Sequence, residues 1–105
     1  MQKEELPIFQ EFADKIRITF PKAMVLAFGS YTRGTATSDS DLDICVVIPQ
    51  MKQDDRLVIS DIAWEVGFKN DLHISTIVIS ENDYKYGPFS ASPLRDTIQN
   101  EGVAA

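Results

Sequence analysis

Residues 29–47 read GSYTRGTATSDSDLDICVV, and this stretch decides the fold. An apolar run ends at Gly29-Ser30, a small polar loop follows, and a second apolar run begins around Asp41 and Asp43. Because side chains alternate between the two faces of a strand, residues two apart project together, so Asp41 and Asp43 are expected to lie side by side. The stretch therefore predicts a strand, a Gly-Ser turn, and a second strand that carries two neighbouring carboxylates.

The chemistry of these residues indicates a site for a nucleoside triphosphate. Two adjacent carboxylates, here Asp41 and Asp43, repel each other unless a cation neutralises them. Mg²⁺ prefers one or two such carboxylates together with phosphate oxygens. The Gly29-Ser30 turn offers backbone N–H groups and a hydroxyl, and a helix that began there would direct its positive end at an anion. Arg33 is near enough in sequence to bind the same phosphates.

This combination resembles a known signature. Gly29-Ser30, followed after ten residues by Asp41-x-Asp43, is similar to the motif of the DNA polymerase β-like nucleotidyltransferases. Two pairs inside the motif, Arg33-Gly34 and Ser40-Asp41, fit the small form of that superfamily, the minimal nucleotidyltransferases (MNT). The resemblance implies a Mg²⁺-dependent nucleotidyltransferase that moves a nucleoside monophosphate, AMP from ATP, to an acceptor hydroxyl. It also implies that Asp41 and Asp43 hold one or two Mg²⁺ ions.

The triphosphate would then be positioned by the turn, through Gly29 and Ser30, and by Arg33. Members of the resembled family usually carry a third carboxylate on the neighbouring strand, and this sequence departs from that pattern. His73 occupies the expected position, and Asp71 lies one same-face step earlier. Two alternatives stay open: Asp71 is the third ligand or the base, or His73 moves the proton, since an imidazole exchanges protons near neutral pH. If neither serves, nucleotide binding would survive without catalysis.

The order of apolar patterns predicts one domain, residues 1–105, with an α/β (α+β) fold in which helices pack on a small mixed sheet. An apolar stripe of Val58, Ile62 and Val66 marks the second helix. Trp64 is assigned by default to the core, with an exposed contact surface as the alternative, and the last four residues are expected to fray. The predicted elements are helices at 3–18, 54–67 and 93–101, strands at 23–28, 42–48 and 72–79, and short helical turns at 30–34 and 81–86.

Composition limits the class of protein. With 105 residues and 44% hydrophobic side chains, the chain can bury a core. Its net charge of −6 argues against direct electrostatic binding of nucleic acid, because such binding requires a basic patch. A single cysteine, Cys45, excludes an internal disulfide and is typical of a reducing cytoplasm. The sequence shows no signal peptide and no apolar run of membrane-spanning length, so a cytoplasmic location away from membranes is expected.

The small size also bears on partners. A chain of 105 residues is expected to form a single domain without a second one for acceptor recognition, so we expect another protein or a second copy of the chain to present the acceptor. In the resembled family, MNT proteins are often paired as antitoxins with a small helical HEPN protein, an RNase toxin, and some add AMP to a tyrosine of that partner. Two other interpretations stay open: an antitoxin or regulatory subunit that binds nucleotide without turnover, and a structural domain with a coincidental motif.

Overall fold

A computed structural model describes residues 1–105 as one four-stranded sheet with five α-helices packed on it. This arrangement confirms the predicted α/β (α+β) architecture with a mixed sheet. The α-helices are α1 (Leu6–Thr19), α2 (Ser30–Arg33), α3 (Asp55–Lys69), α4 (Glu81–Tyr86) and α5 (Pro93–Glu101). The strands are β1 (Met24–Phe28), β2 (Leu42–Ile48), β3 (Ile74–Ser80) and β4 (Val103–Ala104), and a 3₁₀ turn spans Pro88–Ala91.

The sheet has the order β3-β2-β1-β4, which makes β2 an inner strand and β3 an edge strand. Strand β1 is antiparallel to both β2 and β4, whereas β2 and β3 are parallel. Every residue of β2 except Asp43 is buried. A nearly continuous apolar run of this kind is typical of a strand that is covered on both faces.

The two faces of the sheet support two hydrophobic clusters. Helices α1 and α3 cover one face, where alternate residues of β2 such as Leu42 and Ile44 enter the larger cluster. Helices α4 and α5 cover part of the other face, where Cys45 and Val47 enter the smaller cluster. Asp43 shares its face with Cys45 and Val47, at the end of β2 that these helices do not bury.

Helix α1 follows its sequence pattern closely. Its buried residues are Phe9, Phe12, Ala13 and Ile16, which are the four that the helical spacing predicts for the apolar stripe. Pro7 lies in the first turn, where its missing N–H costs nothing. The helix therefore packs on the sheet as a structural element, away from the predicted site.

The predicted stripe of α3 is partly wrong. Val58 is exposed at 36%, and the fully buried positions are instead Ile59 and Val66, with Ala63 between them at 4%. Trp64, assigned to the core from its size, is 68% exposed. The physical reason is that α3 carries apolar residues on nearly every side, so periodicity alone does not select the face that packs on the sheet.

The prediction that the last four residues fray is also wrong. Strand β4 pairs with β1, with Ala104 opposite Leu26. The backbone of Ala105 is held twice, because its N–H donates to the carbonyl of Val25 at 3.0 Å and its carbonyl accepts from Arg17 Nη2 at 2.8 Å. The end of α5 therefore leads directly into the sheet. None of the helices combines the length and apolar character that crossing a bilayer requires.

Candidate active site

The centre of the site is a close approach between β2 and the residue that follows β1. Antiparallel pairing places Phe28 opposite Asp43, and Gly29 comes next with φ of +85°. A Cβ built on Gly29 would collide with Oδ2 of Asp43 and lie 3.3 Å from its Cγ. Gly29 is therefore required twice, for a backbone conformation that L residues rarely adopt and for the space that the carboxylate occupies.

Helix α2 turns the chain away immediately after this contact. The carbonyl of Gly29 accepts from the N–H of Arg33 at 3.1 Å and from Oγ1 of Thr32 at 2.7 Å, which closes a single helical turn. Gly34, with φ of +77°, ends that turn in the left-handed conformation. The first N–H groups of a helix have no intrahelical acceptor, so the backbone at Ser30 can donate to an anion beside Asp43.

Arg33, at the end of α2, is the cation that acts on Asp43. Burial and Asp41 raise the pKa of Asp43, and the positive charge of Arg33 opposes that rise, so the guanidinium acts on the carboxylate. Nη1 of Arg33 also lies 3.7 Å from Oε2 of Glu101, at the end of α5. Sequence reasoning missed Glu101, because nothing in its local pattern shows that α5 returns to α2.

The electrostatic state of Asp43 favours a bound cation. Partial burial is the main cause that raises the pKa of Asp43 above its ordinary value, and the neighbouring charge of Asp41 raises it further. Arg33 opposes both effects without cancelling them. A divalent cation would remove the same penalty by compensating two carboxylates at once.

Asp41 is paired with His73. Nδ1 of His73 lies 3.1 Å from Oδ1 of Asp41, and both side chains are exposed. The contact follows from the parallel pairing of β2 with β3, in which Leu42 stands opposite Ile74 and the preceding residues are brought together. His73 precedes the first residue of β3, and its carbonyl accepts from the N–H of Leu42 at 2.9 Å.

The structure does not bring a third carboxylate to the aspartate pair. The β3 residue in register with Asp43 is Ser75. Asp71 is exposed in the turn between α3 and β3, with φ of +52°, two residues before His73. No group of three His, Cys, Asp or Glu side chains converges into a metal centre made of protein ligands alone. Two carboxylates remain, a donor set that fits Mg²⁺ when substrate phosphates supply further oxygens.

A mixed sheet that presents two carboxylates beside a Gly-Ser turn defines a nucleotide-handling domain. Residues 9–104 match the nucleotidyltransferase domain family, and the chain belongs to that family. This confirms the resemblance identified in residues 29–47 and is consistent with an MNT-type member, so a coincidental motif is no longer a useful explanation.

Relatives support the assignment. A Methanocaldococcus jannaschii protein, provisionally named a protein adenylyltransferase, is 33% identical over 81 residues, which cover 72% of this chain and 55% of that protein. The chain thus spans about half the length of this curated relative.

Two solved structures share the fold. One is a Sulfolobus solfataricus protein provisionally named a nucleotidyltransferase, with a TM-score of 0.59 and 21% identity over 97% of this chain and 82% of that one. The other is a toxin–antitoxin structure with AMP-PNP, with a TM-score of 0.59 and 20% identity over 98% of this chain and 72% of that one. At these identities, the likeness concerns the fold alone.

Proposed function

We propose that this protein transfers AMP from ATP to a hydroxyl group of a partner protein and releases pyrophosphate. The observation that carries the proposal is the approach of Asp43 to Gly29, because it places cation ligands and anion donors side by side within a nucleotidyltransferase domain. Such a site contributes mainly position and charge, which is what phosphoryl transfer requires of a protein.

Each residue of the site has a role in this proposal. Asp41 and Asp43 would hold Mg²⁺, one ion or two, which neutralises charge on the triphosphate. The backbone at Gly29 and Ser30 donates hydrogen bonds to phosphate oxygens. Arg33 adds a guanidinium, which binds phosphate in a fork of two donors.

The reaction balances with the groups at hand. The acceptor oxygen bonds to the α-phosphorus of ATP, the bond from that phosphorus to the pyrophosphate oxygen breaks, and the acceptor proton passes to a base. The two candidates for this base are His73 and Asp71. His73 is the better placed, because it contacts Asp41, whereas Asp71 lies in the turn before it. A base must reach the proton that it accepts, and the position of His73 beside Asp41 supports it in this role.

The acceptor in this proposal belongs to a small helical partner of the HEPN type, and this chain acts as the antitoxin. The fold shared with the toxin–antitoxin structure supports such a pairing. The net charge of −6 supports a protein acceptor over nucleic acid. The single cysteine is buried and free, which suits the cytoplasm as the compartment.

One observation favours a second candidate, a regulatory subunit that binds ATP without turning it over. On β3, the side chains nearest the aspartates are the hydroxyl of Ser75 and the imidazole of His73, where the resembled family has a carboxylate. A site that lacks a base of the right geometry could still hold Mg-ATP through Asp41, Asp43 and the Gly29 turn.

The two candidates are separated by weighing the partner. The chain is incubated with Mg-ATP and a HEPN-type protein, and the intact mass of that protein is measured. A gain of one adenylate that is lost in Asp43→Asn supports transfer. Tight calorimetric binding of Mg-ATP with no gain in mass supports the regulatory subunit, and the absence of both results contradicts nucleotide handling altogether.

A further inference from the structure

Helix α3 has a second apolar face that nothing in the chain covers. Its inner face packs on the sheet, whereas Leu57, Trp64 and Phe68 are 65%, 68% and 75% exposed. These three residues, the outer stripe, recur at helical spacing and therefore lie on one side of α3. The rings of Trp64 and Phe68 stack at 5.0 Å between centroids and form one apolar surface, and the exposed Asp61 separates it from Leu57.

The adjacent strand β3 is an open sheet edge. The strand pairs only with β2, and its sequence, ISTIVIS, contains no charge. Because the N–H of Leu42 bonds to the carbonyl of His73, the odd-numbered residues of this strand face β2. The backbone N–H and C=O groups of Ile74, Thr76 and Val78 therefore point outward.

Little protects this edge. Nη2 of Arg56 reaches the carbonyl of Val78 at 3.3 Å, and this is a single side chain against a strand of seven residues. Natural edge strands usually carry lysine, proline or a bulge to prevent pairing, and β3 has none of these. An uncharged edge with free backbone groups recognises another extended strand.

The outer stripe and the edge form one surface. A groove of about 570 Å³ runs between them, lined by Trp64 and Phe68 on the helix side and by Ile74 and Thr76 on the strand side. A ligand for this surface must offer both a strand and an apolar ridge beside it.

We propose that a second copy of this chain docks here, with the two β3 strands paired antiparallel about a two-fold axis. All outward-facing groups are satisfied when Thr76 meets its own counterpart on the axis and Ile74 meets Val78 of the other copy. Arg56 must release its hold on Val78 for this pairing. The two α3 helices then run antiparallel on the same face, so that Leu57 of one copy lies toward the Trp64 end of the other.

A second copy fits better than other occupants because it satisfies both halves of the surface. A helical partner would cover the outer stripe but leave the edge of β3 unpaired, and a lone extended peptide would do the reverse. The dimensions agree, since a 15-residue helix and a 7-residue strand are each about 22 Å long. One two-fold operation can therefore pair both elements along their length.

The area available is close to what a specific dimer needs. Aromatic side chains bury 150–250 Å² each, so Trp64 and Phe68, with a smaller share from Leu57, can remove roughly 400 Å² from each copy. The backbone and side chains of the edge bring the total for both copies above about 1,000 Å², the lower bound for a specific interface. Asp43 projects from the other face of the sheet, so the dimer leaves its carboxylate open, whereas His73 lines the end of the groove and lies beside the interface.

The test measures the assembly state of the wild type and of two variants, one that disrupts pairing of the β3 strands and one that disrupts the aromatic stack. Sedimentation is followed from about 1 μM to about 1 mM, which spans weak to moderate affinities. Thr76→Pro removes an outward N–H that β2 does not use, and proline is tolerated in edge strands for that reason. Phe68→Ser removes half of the aromatic stack. Tyr86→Ser, at a residue that is 79% exposed on α4, is the matched control.

We expect the wild-type chain and Tyr86→Ser to dimerise equally. Phe68→Ser should weaken the dimer at least tenfold, Thr76→Pro should be monomeric with an unchanged circular dichroism spectrum, and the amides of Ile74, Thr76 and Val78 should exchange slowly only at high concentration. A monomer at every concentration overturns the proposal, as does a dimer that both variants leave intact. Exchange at these three amides that is independent of concentration overturns it even if Thr76→Pro fails to fold.

Discussion

The carboxylate of Asp43 lies against the Cα of Gly29 so closely that no side chain fits between them. The contact joins the ends of two antiparallel strands and brings the turn that can bind phosphate to the residues that can bind a cation. Gly34 also has a positive φ, but it lies in the left-handed helical region and a Cβ there would meet nothing within 4 Å.

Gly29→Ala should weaken nucleotide binding, and Gly34→Ala should not. Both replacements put an L side chain at positive φ, which costs on the order of 1–3 kcal/mol of stability. Only at position 29 does the new Cβ displace the carboxylate of Asp43. Calorimetric titration with Mg-ATP should show at least a tenfold loss of affinity for Gly29→Ala and near wild-type affinity for Gly34→Ala. Equal affinities in the two variants would mean that the Asp43 contact has no part in binding.

Asp43→Asn should stabilise the protein when no metal or nucleotide is present. Because burial and Asp41 raise the pKa of Asp43, the folded state holds this proton more tightly than the unfolded state does. The stability that this carboxyl contributes is therefore present at low pH and is lost as the pH rises through its folded pKa. Thermal melts should show that the free energy of unfolding of Asp43→Asn increases relative to that of the wild type between about pH 4 and pH 7. The difference should not exceed about 1 kcal/mol, because solvent screens a half-exposed group.

Added ligand should reverse this order of stability, so that the wild type becomes more stable than Asp43→Asn. Mg-ATP at 100 times its dissociation constant should stabilise the wild type by about 2.7 kcal/mol and leave Asp43→Asn unchanged. Asp39→Asn, at an exposed position in the same loop, is the control and should behave as wild type in both experiments. An Asp43→Asn variant that melts lower than wild type at neutral pH without ligand would show that the carboxylate supports the fold.

The parts of the site that could be predicted are those fixed by local pattern. Strand β2 was predictable because a nearly continuous apolar run has one obvious structure, and the spacing of Asp41 and Asp43 follows from the two-residue period of a strand. The turn at Gly29 was predictable because an apolar strand stops abruptly at a Gly-Ser pair. The element bounds at these positions agree with the sequence to within about a residue.

The parts that could not be predicted depend on contacts between distant segments. The pairing of β4 with β1 and the ion pair of Arg33 with Glu101 arise only after α5 has packed across the sheet. The exposure of Trp64 could not be read from α3, since apolar residues surround that helix and large size normally favours burial. His73 was a candidate by position, but its contact with Asp41 depends on the register of β2 with β3.

Arg33→Gln should weaken Mg-ATP binding about tenfold, equivalent to about 1.4 kcal/mol. The guanidinium is the positive charge that acts on Asp43, and its loss should also raise the pKa of that carboxyl further. Glu101→Gln is the informative partner variant. The 3.7 Å ion pair is exposed and worth at most about 1 kcal/mol, so its loss should change affinity by less than about fivefold. If Glu101→Gln weakens binding as strongly as Arg33→Gln, the ion pair itself must position Arg33.

His73→Asn should reduce adenylate transfer and raise the Mg²⁺ concentration needed for half-maximal rate, whereas Asp71→Asn should do neither. Nδ1 of His73 lies 3.1 Å from Oδ1 of Asp41 and so helps to hold that carboxylate in place. Loss of such a supporting contact to a metal ligand typically costs 10–100-fold in activity or metal affinity, and the expected effect is of that order. Asp71→Asn is a fair control because asparagine tolerates the left-handed backbone that Asp71 adopts, at φ of +52°. Rates are measured by the mass of the partner protein over a Mg²⁺ series; a large loss in Asp71→Asn with a wild-type response in His73→Asn would assign the third role to Asp71.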